Sequence, residues 1–468
     1  MERMKKVGTV APKASVDVKK TRLGIGFEKL DRNVFDPEKA YDPVAAIGVK
    51  WVRIQSGWMR TEQEKGVYNF AWIDTIVENL LRRGLTPWVC LCYGNGLYDD
   101  LAAETFGGVG CLPIRTEEAR QAWLAYVRAF AAHFKGRISL YEVWNEPDGN
   151  WCAKNGFTAA DLGAFTDDTA VAVKSQDPDA KVIGGAFCRH HGISYVAETL
   201  QNRFGDHIDF LSYHEYNKDE HCIVERVKFL RAMLDRFCPH VGIIQGETGC
   251  PSRSDGFGAL RKGAWTEEKQ AKFLLRHLVT DLSCGVEFAM QFSTMDMIEA
   301  LTGLVSDKAT YQDYGYFGVL RADFDEDGRS VGTYSPKPSY YTLQNLASLL
   351  AEADNCTVPV TFRRNESPRL LPLGRDLGFR DLFVTGFRKE GGEALAYWYP
   401  AEILTTSYEG TISPDFYTPY EKIRLVDPMD GSIYEIPEEM ITRTEYGAVS
   451  ITNLPVRDYP LFLTFGDF

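Results

Sequence analysis

Short apolar, β-branched runs recur along the first two thirds of the chain. Between them lie longer stretches in which apolar residues return every three or four positions. The runs are RLGIGFE (22–28), KWVRIQ (50–55), TPWVCLCY (86–93), ISLYEVWNE (138–146), KVIGGAF (181–187), HIDFLSYHEY (207–216), VGIIQGET (241–248) and VEFAMQFST (286–294). Each has the length and composition of a strand buried on both faces. The stretches between them carry helix signals. FAWIDTIVENLLRRG has apolar residues at helical spacing and ends on Gly84, TEEARQAWLAYVRAFAAHFKG opens on Thr116 and closes on Gly136, and TAADLGAFTDDTAVAVKSQDP and TEEKQAKFLLRHLVTDLSCG repeat the plan. KPSYYTLQNLASLL, at 337–350, is predicted as the last helix.

Eight strands alternating with helices place the chain in the α/β class and predict a (β/α)8 TIM barrel over residues 21–350. A doubly wound open sheet is the competitor, but no glycine-rich phosphate loop follows strand one. Beyond residue 351 the period changes. TVPVTFRR, RDLFVTGFRK, EALAYWYP, YEKIRLVDPMDGSIYEIP and PLFLTFGDF are strand-length runs broken by turns, so residues 351–468 are expected to form an all-β, sandwich-like accessory domain. Residues 1–20 read as an N-terminal extension that pairs with it.

Composition narrows the partners. A net charge of −13 argues against nucleic acid, which asks for a basic surface. No apolar run approaches the roughly 18–20 residues needed to cross a bilayer, so no membrane contact is expected. The first twenty residues lack the apolar core of a secretory signal, and a cytoplasmic protein is the plain expectation; a secreted or periplasmic protein already trimmed of its signal reads the same. The 10 cysteines include no CxxC pair and are read mostly as small buried hydrophobes. The 8 histidines show no ligand spacing, His190 and His191 being adjacent, so neither a metal nor a cofactor is expected.

Barrel chemistry sits at the C-terminal ends of the strands. Strand four ends in WNEP, which puts Glu146 at the mouth with Trp144 and Glu142 beneath it on the same face; strand seven ends in GETG, with Glu247 at the mouth above Gln245 and Ile243. Strand two brings Arg53 inward between Trp51 and Gln55, and strand six brings His214 and Tyr216. A lone glutamate after a strand is ordinarily a solvated loop residue. Two of them on separated strands, with an arginine, a histidine and a tyrosine between, are what hydrolysis of a glycosidic bond asks for: one carboxyl protonated, the other ionised. Arg53 and the Tyr216 hydroxyl are expected to hold Glu247 ionised, and Glu146 to keep its proton. Glu142, two inward steps or about 13 Å lower, reads as a barrel-interior partner for a buried base.

The segments EKGVYNFAWIDTIVENLLRRGLTPWVCLCYGN and YEVWNEPD, with the strand-seven glutamate, make the chain resemble glycoside hydrolase clan A, and within it family 39, the β-xylosidase and α-iduronidase family. Families 5, 30 and 51, some of them endo-acting, share the same plan. The resemblance implies a retaining hydrolase with Glu146 as acid/base and Glu247 as nucleophile. It implies that Asn145 binds the sugar 2-hydroxyl, that Arg53 and Tyr216 orient Glu247, and that His214 lines the −1 subsite. A β-xyloside or β-galactoside is the favoured carbohydrate substrate; a catalytically inactive glycan-binding barrel is the alternative. A metal-dependent hydrolase or an aldolase would need a ligand cluster or a Schiff-base lysine at a strand top, and none is read there. One departure stands out. Many clan members end strand eight in a tryptophan that floors the −1 sugar, where this chain has Phe292 and Met295. Trp265 is then the candidate floor, while Trp58, Tyr93, Tyr98 and Trp151 are candidates for stacking on sugar faces. The insert GNGLYDDLAAETFGGVGCLPIRTEE after strand three is expected to wall one end of the cleft and favour exo action.

Overall fold

The computed structural model describes residues 4–154, 156–301, 303–364 and 382–468. Eight parallel strands close into a barrel: β1 (Leu23–Gly26), β2 (Trp51–Gln55), β3 (Thr86–Leu91), β4 (Leu140–Val143), β5 (Lys181–Phe187), β6 (Phe210–His214), β7 (Gly242–Thr248) and β8 (Ala289–Gln291). Strands four and eight are shorter than the apolar runs suggest. Strand four stops because Trp144 turns into the left-handed region at φ 66°, which ends the alternation of faces.

The outer helices include Ala71–Arg82, Glu117–Phe134, Ala159–Gln176, Glu267–Ser283 and Pro338–Leu349. Three begin on a threonine whose hydroxyl accepts from the third helical amide: Thr116 from Ala119, Thr158 from Asp161 and Thr266 from Lys269. Between strands six and seven runs a further helix, His221–Phe237, for which the sequence reading assigns no element. It buries Ile223, Val227, Leu230 and Leu234, a helical stripe, against the barrel. None of the described helices is long and apolar enough to cross a membrane.

The C-terminal residues form antiparallel sheets packed face to face, with Phe416 of one sheet 4.9 Å from Phe465 of the other. The larger sheet has seven strands, and its edge is the N-terminal strand Lys5–Thr9, antiparallel to Ser432–Glu435. Residues 1–3 of the expected extension and 365–381 of the expected β-domain lie outside the described residues. The two parts of the chain meet along helix Glu267–Ser283. There Arg276 pairs with Glu220 (Nη2–Oε2 2.6 Å) and donates to the Ala401 carbonyl (2.8 Å), and the Trp398 indole donates to Glu220 (2.7 Å). This double contact explains why every residue from Gln270 to Leu282 is buried, a pattern unlike that of a helix facing water on one side.

Candidate active site

Arg53 is the hub of the barrel mouth. Fully buried on β2, its guanidinium reaches Glu142 below it (Nε–Oε2 2.7 Å), Asn145 (Nη2–Oδ1 2.8 Å), and both Glu28 and Glu247, each 2.9 Å from Nη1. Glu142 thus has the interior partner expected of it. Glu247 also accepts from the Tyr216 hydroxyl. Its place opposite His214 depends on a register shift between β6 and β7: Tyr213 pairs with Gln245, but His214 pairs with Glu247. Gly246 is the extra residue of this bulge, and a Cβ there would stand 2.2 Å from Ser212 Oγ and 3.1 Å from His214 Nε2. The bulge also swaps faces below it, so Ile244 joins the apolar floor of the lumen and Ile243 packs outside. The expectation that Ile243 lies inward beneath Glu247 is corrected accordingly.

Glu146 stands across from Glu247. Both Trp144 and Glu146 adopt left-handed backbone, at φ 66° and 45°, a conformation non-glycine residues keep only where the surroundings hold them. The turn sends the Trp144 ring outward, among Tyr93, Trp123 and Phe165, with its indole bonded to the Cys152 carbonyl at 2.8 Å. Trp144 therefore leaves the inward face on which strand alternation places it, and supports the loop from behind. His214 lies between the two carboxyls, with Nδ1 3.0 Å from Glu146 Oε1 and 3.8 Å from Glu247 Oε2. Ligand-type atoms of Glu146, His214 and Glu247 all fall within 4.8 Å of one another, the one such group of His, Cys, Asp or Glu among the described residues. Within it Glu146 bonds His214, and Glu247 bonds Arg53 and Tyr216.

The electrostatics reverse one expectation. Burial pushes the Glu247 carboxyl up to about 7; His214 and Arg53 pull it down, while Glu28 and Glu146 push it further up. Arg53 fails to hold it low because its charge is shared. Burial works against the guanidinium, and the carboxylates that outweigh that burial are first Glu142 and Glu28, with Glu247 behind them. For His214 burial is again the largest influence and disfavours the cation, but Glu247 and Glu146 together lift it above the ordinary histidine value.

A cavity of about 490 Å³ opens above the pair. Tyr93, Asn145, Glu146, Trp151, Tyr216 and Glu247 line it, as does Phe292, which takes the strand-eight position where a tryptophan is usual. Met295 is buried away from the wall. Trp265 is corrected from its expected place: it packs with Cys250, Phe273 and Ile403, its indole bonded to Leu260, because the loop after β7 folds back toward the β-domain. Trp58 and Tyr98 are equally remote, both donating to Glu62 (2.5 and 2.6 Å) beneath the rim. The insert after strand three does not line the cavity; Phe106 stacks on Tyr311, 4.0 Å away, and braces the loop after β8.

Several lining residues escape the sequence reading. Glu28 and Lys29 stand just past β1, and Glu299 and Asp313 in the connection after β8. Lys29 Nζ donates to the Ile298 carbonyl (3.0 Å) beside Glu299 (3.5 Å). Burial raises the Glu299 carboxyl, against the pull of Lys29. The signal for Glu28 was present: FEK follows strand one as NEP follows strand four, and the strand-top rule applies to both.

The family model described as glycosyl hydrolases family 39 matches residues 38–353 of this chain. Among solved structures, it is similar to a family 39 glycoside hydrolase from the gut symbiont Bacteroides cellulosilyticus, at 17% identity over 95% of this chain and 80% of that one, with a TM-score of 0.65. A family 30 endoxylanase from Clostridium papyrosolvens superposes at TM-score 0.59 with 10% identity, 98% of each chain covered. A family 51 α-L-arabinofuranosidase from Bifidobacterium longum does so at TM-score 0.53 with 13% identity, covering 98% of this chain and 97% of that one. At such identities the structural likeness speaks for the fold.

Proposed function

The chain belongs to glycosyl hydrolase family 39 and is a glycoside hydrolase; on that premise we propose that it retains anomeric configuration, with Glu247 as nucleophile and Glu146 as acid/base. In the first step a Glu247 oxygen bonds to the anomeric carbon, the bond to the leaving oxygen breaks, and Glu146 gives that oxygen its proton. In the second, Glu146 takes a proton from water, the hydroxyl attacks the anomeric carbon, and the ester to Glu247 breaks. Asn145, its Oδ1 fixed by Arg53, is the donor for the sugar 2-hydroxyl.

The observation that carries this reading is the separation of the carboxyls. Retaining enzymes hold theirs about 5–5.5 Å apart and inverting ones about 6.5–9.5 Å, to admit a water. Here an oxygen of each lies within 4.8 Å of the other. The favoured substrate is a β-xyloside or β-galactoside. Lys29, Glu299, Asp313 and Gln55 offer hydroxyl partners in the cavity, and Phe292 offers an apolar face. The test is hydrolysis of a nitrophenyl glycoside panel followed by proton NMR. From a β-glycoside, retention predicts that the β-anomer of the sugar appears first and then mutarotates. The α-anomer appearing first would refute it, and binding without turnover across the panel would favour a glycan-binding barrel.

A further inference from the structure

Trp151 lies five residues beyond Glu146 in the loop after β4, and three features fix its ring. Gly149 packs against the indole: a Cβ there would stand 2.6 Å from Cε2. Arg189, from the loop after β5, holds its guanidinium 5.6 Å from the ring centre on the ring's face. Asp148 joins the two loops, accepting from the amides of Cys188 and Arg189 at 3.0 Å each and from His191 Nε2 at 2.7 Å. So placed, the indole Nε1–H donates to Glu146 Oε2, on the opposite side of the carboxyl from the His214 contact at Oε1.

We propose that Trp151 is a positioning residue that holds Glu146 in its water-activating form for the second step of hydrolysis. The inference rests on the reading of Glu146 as acid/base. Its physical basis is the nature of the donor. Glu146 also faces Cys152 from its own loop, Cys188 from the loop after β5, His214 and Tyr216 at the end of β6, Glu247 from β7 and Glu299 from beyond β8. Burial keeps the protons on Cys152, Cys188 and Tyr216, whereas His214, Glu247 and Glu299 can each gain or lose one, so their influence on Glu146 changes with pH and with the state of the reaction. The indole carries a fixed N–H and accepts nothing. Its donation is the same at every pH and in every intermediate, it is stronger to an anionic oxygen than to a neutral one, and it pins the oxygen in place while water is activated. The cavity wall that Trp151 forms is therefore part of the proton machinery as well as a surface for the sugar's partner.

Trp151→Phe keeps a ring and removes the N–H. With a dinitrophenyl glycoside, whose first step needs little acid assistance, kcat is expected to fall about tenfold, with KM falling alongside as glycosyl-enzyme accumulates. With an alkyl glycoside, whose first step does need the acid, the alkaline limb of kcat/KM is expected to move up. Labelling of Glu247 by an activated 2-fluoro-glycoside is expected to stay within about twofold of wild type, since the first step is spared. A role confined to packing or stacking would raise KM and leave both kcat and the limb in place, which overturns the inference. Absence of an adduct in wild type would overturn the two-step mechanism in which Glu146 activates water; an adduct in both proteins with an unmoved limb would overturn the inference alone.

Discussion

The two halves of the barrel lumen are built on the same inward-facing positions and carry opposite chemistry. The lower half is an apolar plug. Trp51 stacks on Phe288 (4.9 Å), Trp88 meets Phe288 edge-on (5.4 Å), and Leu140, Ile183 and Ile244 fill the remainder. The upper half carries Arg53, Glu142, His214, Glu146 and Glu247. The boundary is one layer thick: on β2 the step from Trp51 to Arg53, on β4 the step from Leu140 to Glu142, with the Arg53 guanidinium 5.7 Å from the centre of the Trp88 ring. The lower layer closes the lumen and excludes water from beneath, so that burial becomes the dominant influence on Glu247 above. Stability and reactivity are thus divided between layers of one core.

The largest expected effect lies in the upper layer. Glu247→Ala should lower kcat by about 10⁴-fold or more, with no loss of thermal stability at pH 8. The sign follows from the raised carboxyl. Its folded value, about 7, lies above the ordinary 4.5, so its ionisation costs the fold stability as pH rises from 4.5 through 7, and removing the group relieves that cost. A large drop in melting temperature would break the division between layers.

The complementary change lies below. Phe288→Ala should destabilise the protein by about 3–5 kcal/mol through the cavity it leaves, while kcat of the folded protein stays within about twofold. Chemical denaturation paired with kinetics measures both, and a stable but inactive variant would show that the plug shapes the site directly.

A smaller effect sharpens the picture from within the upper layer. The acid limb of kcat/KM should have its midpoint near 7, activity rising as Glu247 ionises. Glu28→Gln should move that limb downward, because it removes a carboxylate that both competes for Arg53 and repels Glu247. An unmoved limb would mean that Arg53 is not shared in the way its contacts imply.

The lower layer and the outer helices were legible because both rest on periodicity, which survives without three-dimensional context. Glu146 and Glu247 were legible because a polar residue at the end of an apolar strand contradicts its surroundings. Misplacements came where backbone geometry interrupts the period. A left-handed turn carried Trp144 outward, and the Gly246 bulge exchanged Ile243 for Ile244. Trp265 was misplaced because its loop folds back against the β-domain, a contact that no local pattern announces. Glu247 was expected to be ionised because Arg53 and the Tyr216 hydroxyl were set beside it; Glu28, just past β1, appears as a competitor for Arg53 only once β1 and β2 lie side by side. Helix His221–Phe237 is the opposite case, its apolar stripe plain in the letters.

The central claim is that Glu247 bonds to the sugar. Incubation with activated 2-fluoro-β-xyloside and 2-fluoro-β-galactoside, digestion, and tandem mass spectrometry test it directly. The account predicts a fluoro-glycosyl adduct on Glu247, in the segment Gly242–Thr248. An adduct on Glu146 or Glu28 instead would contradict it.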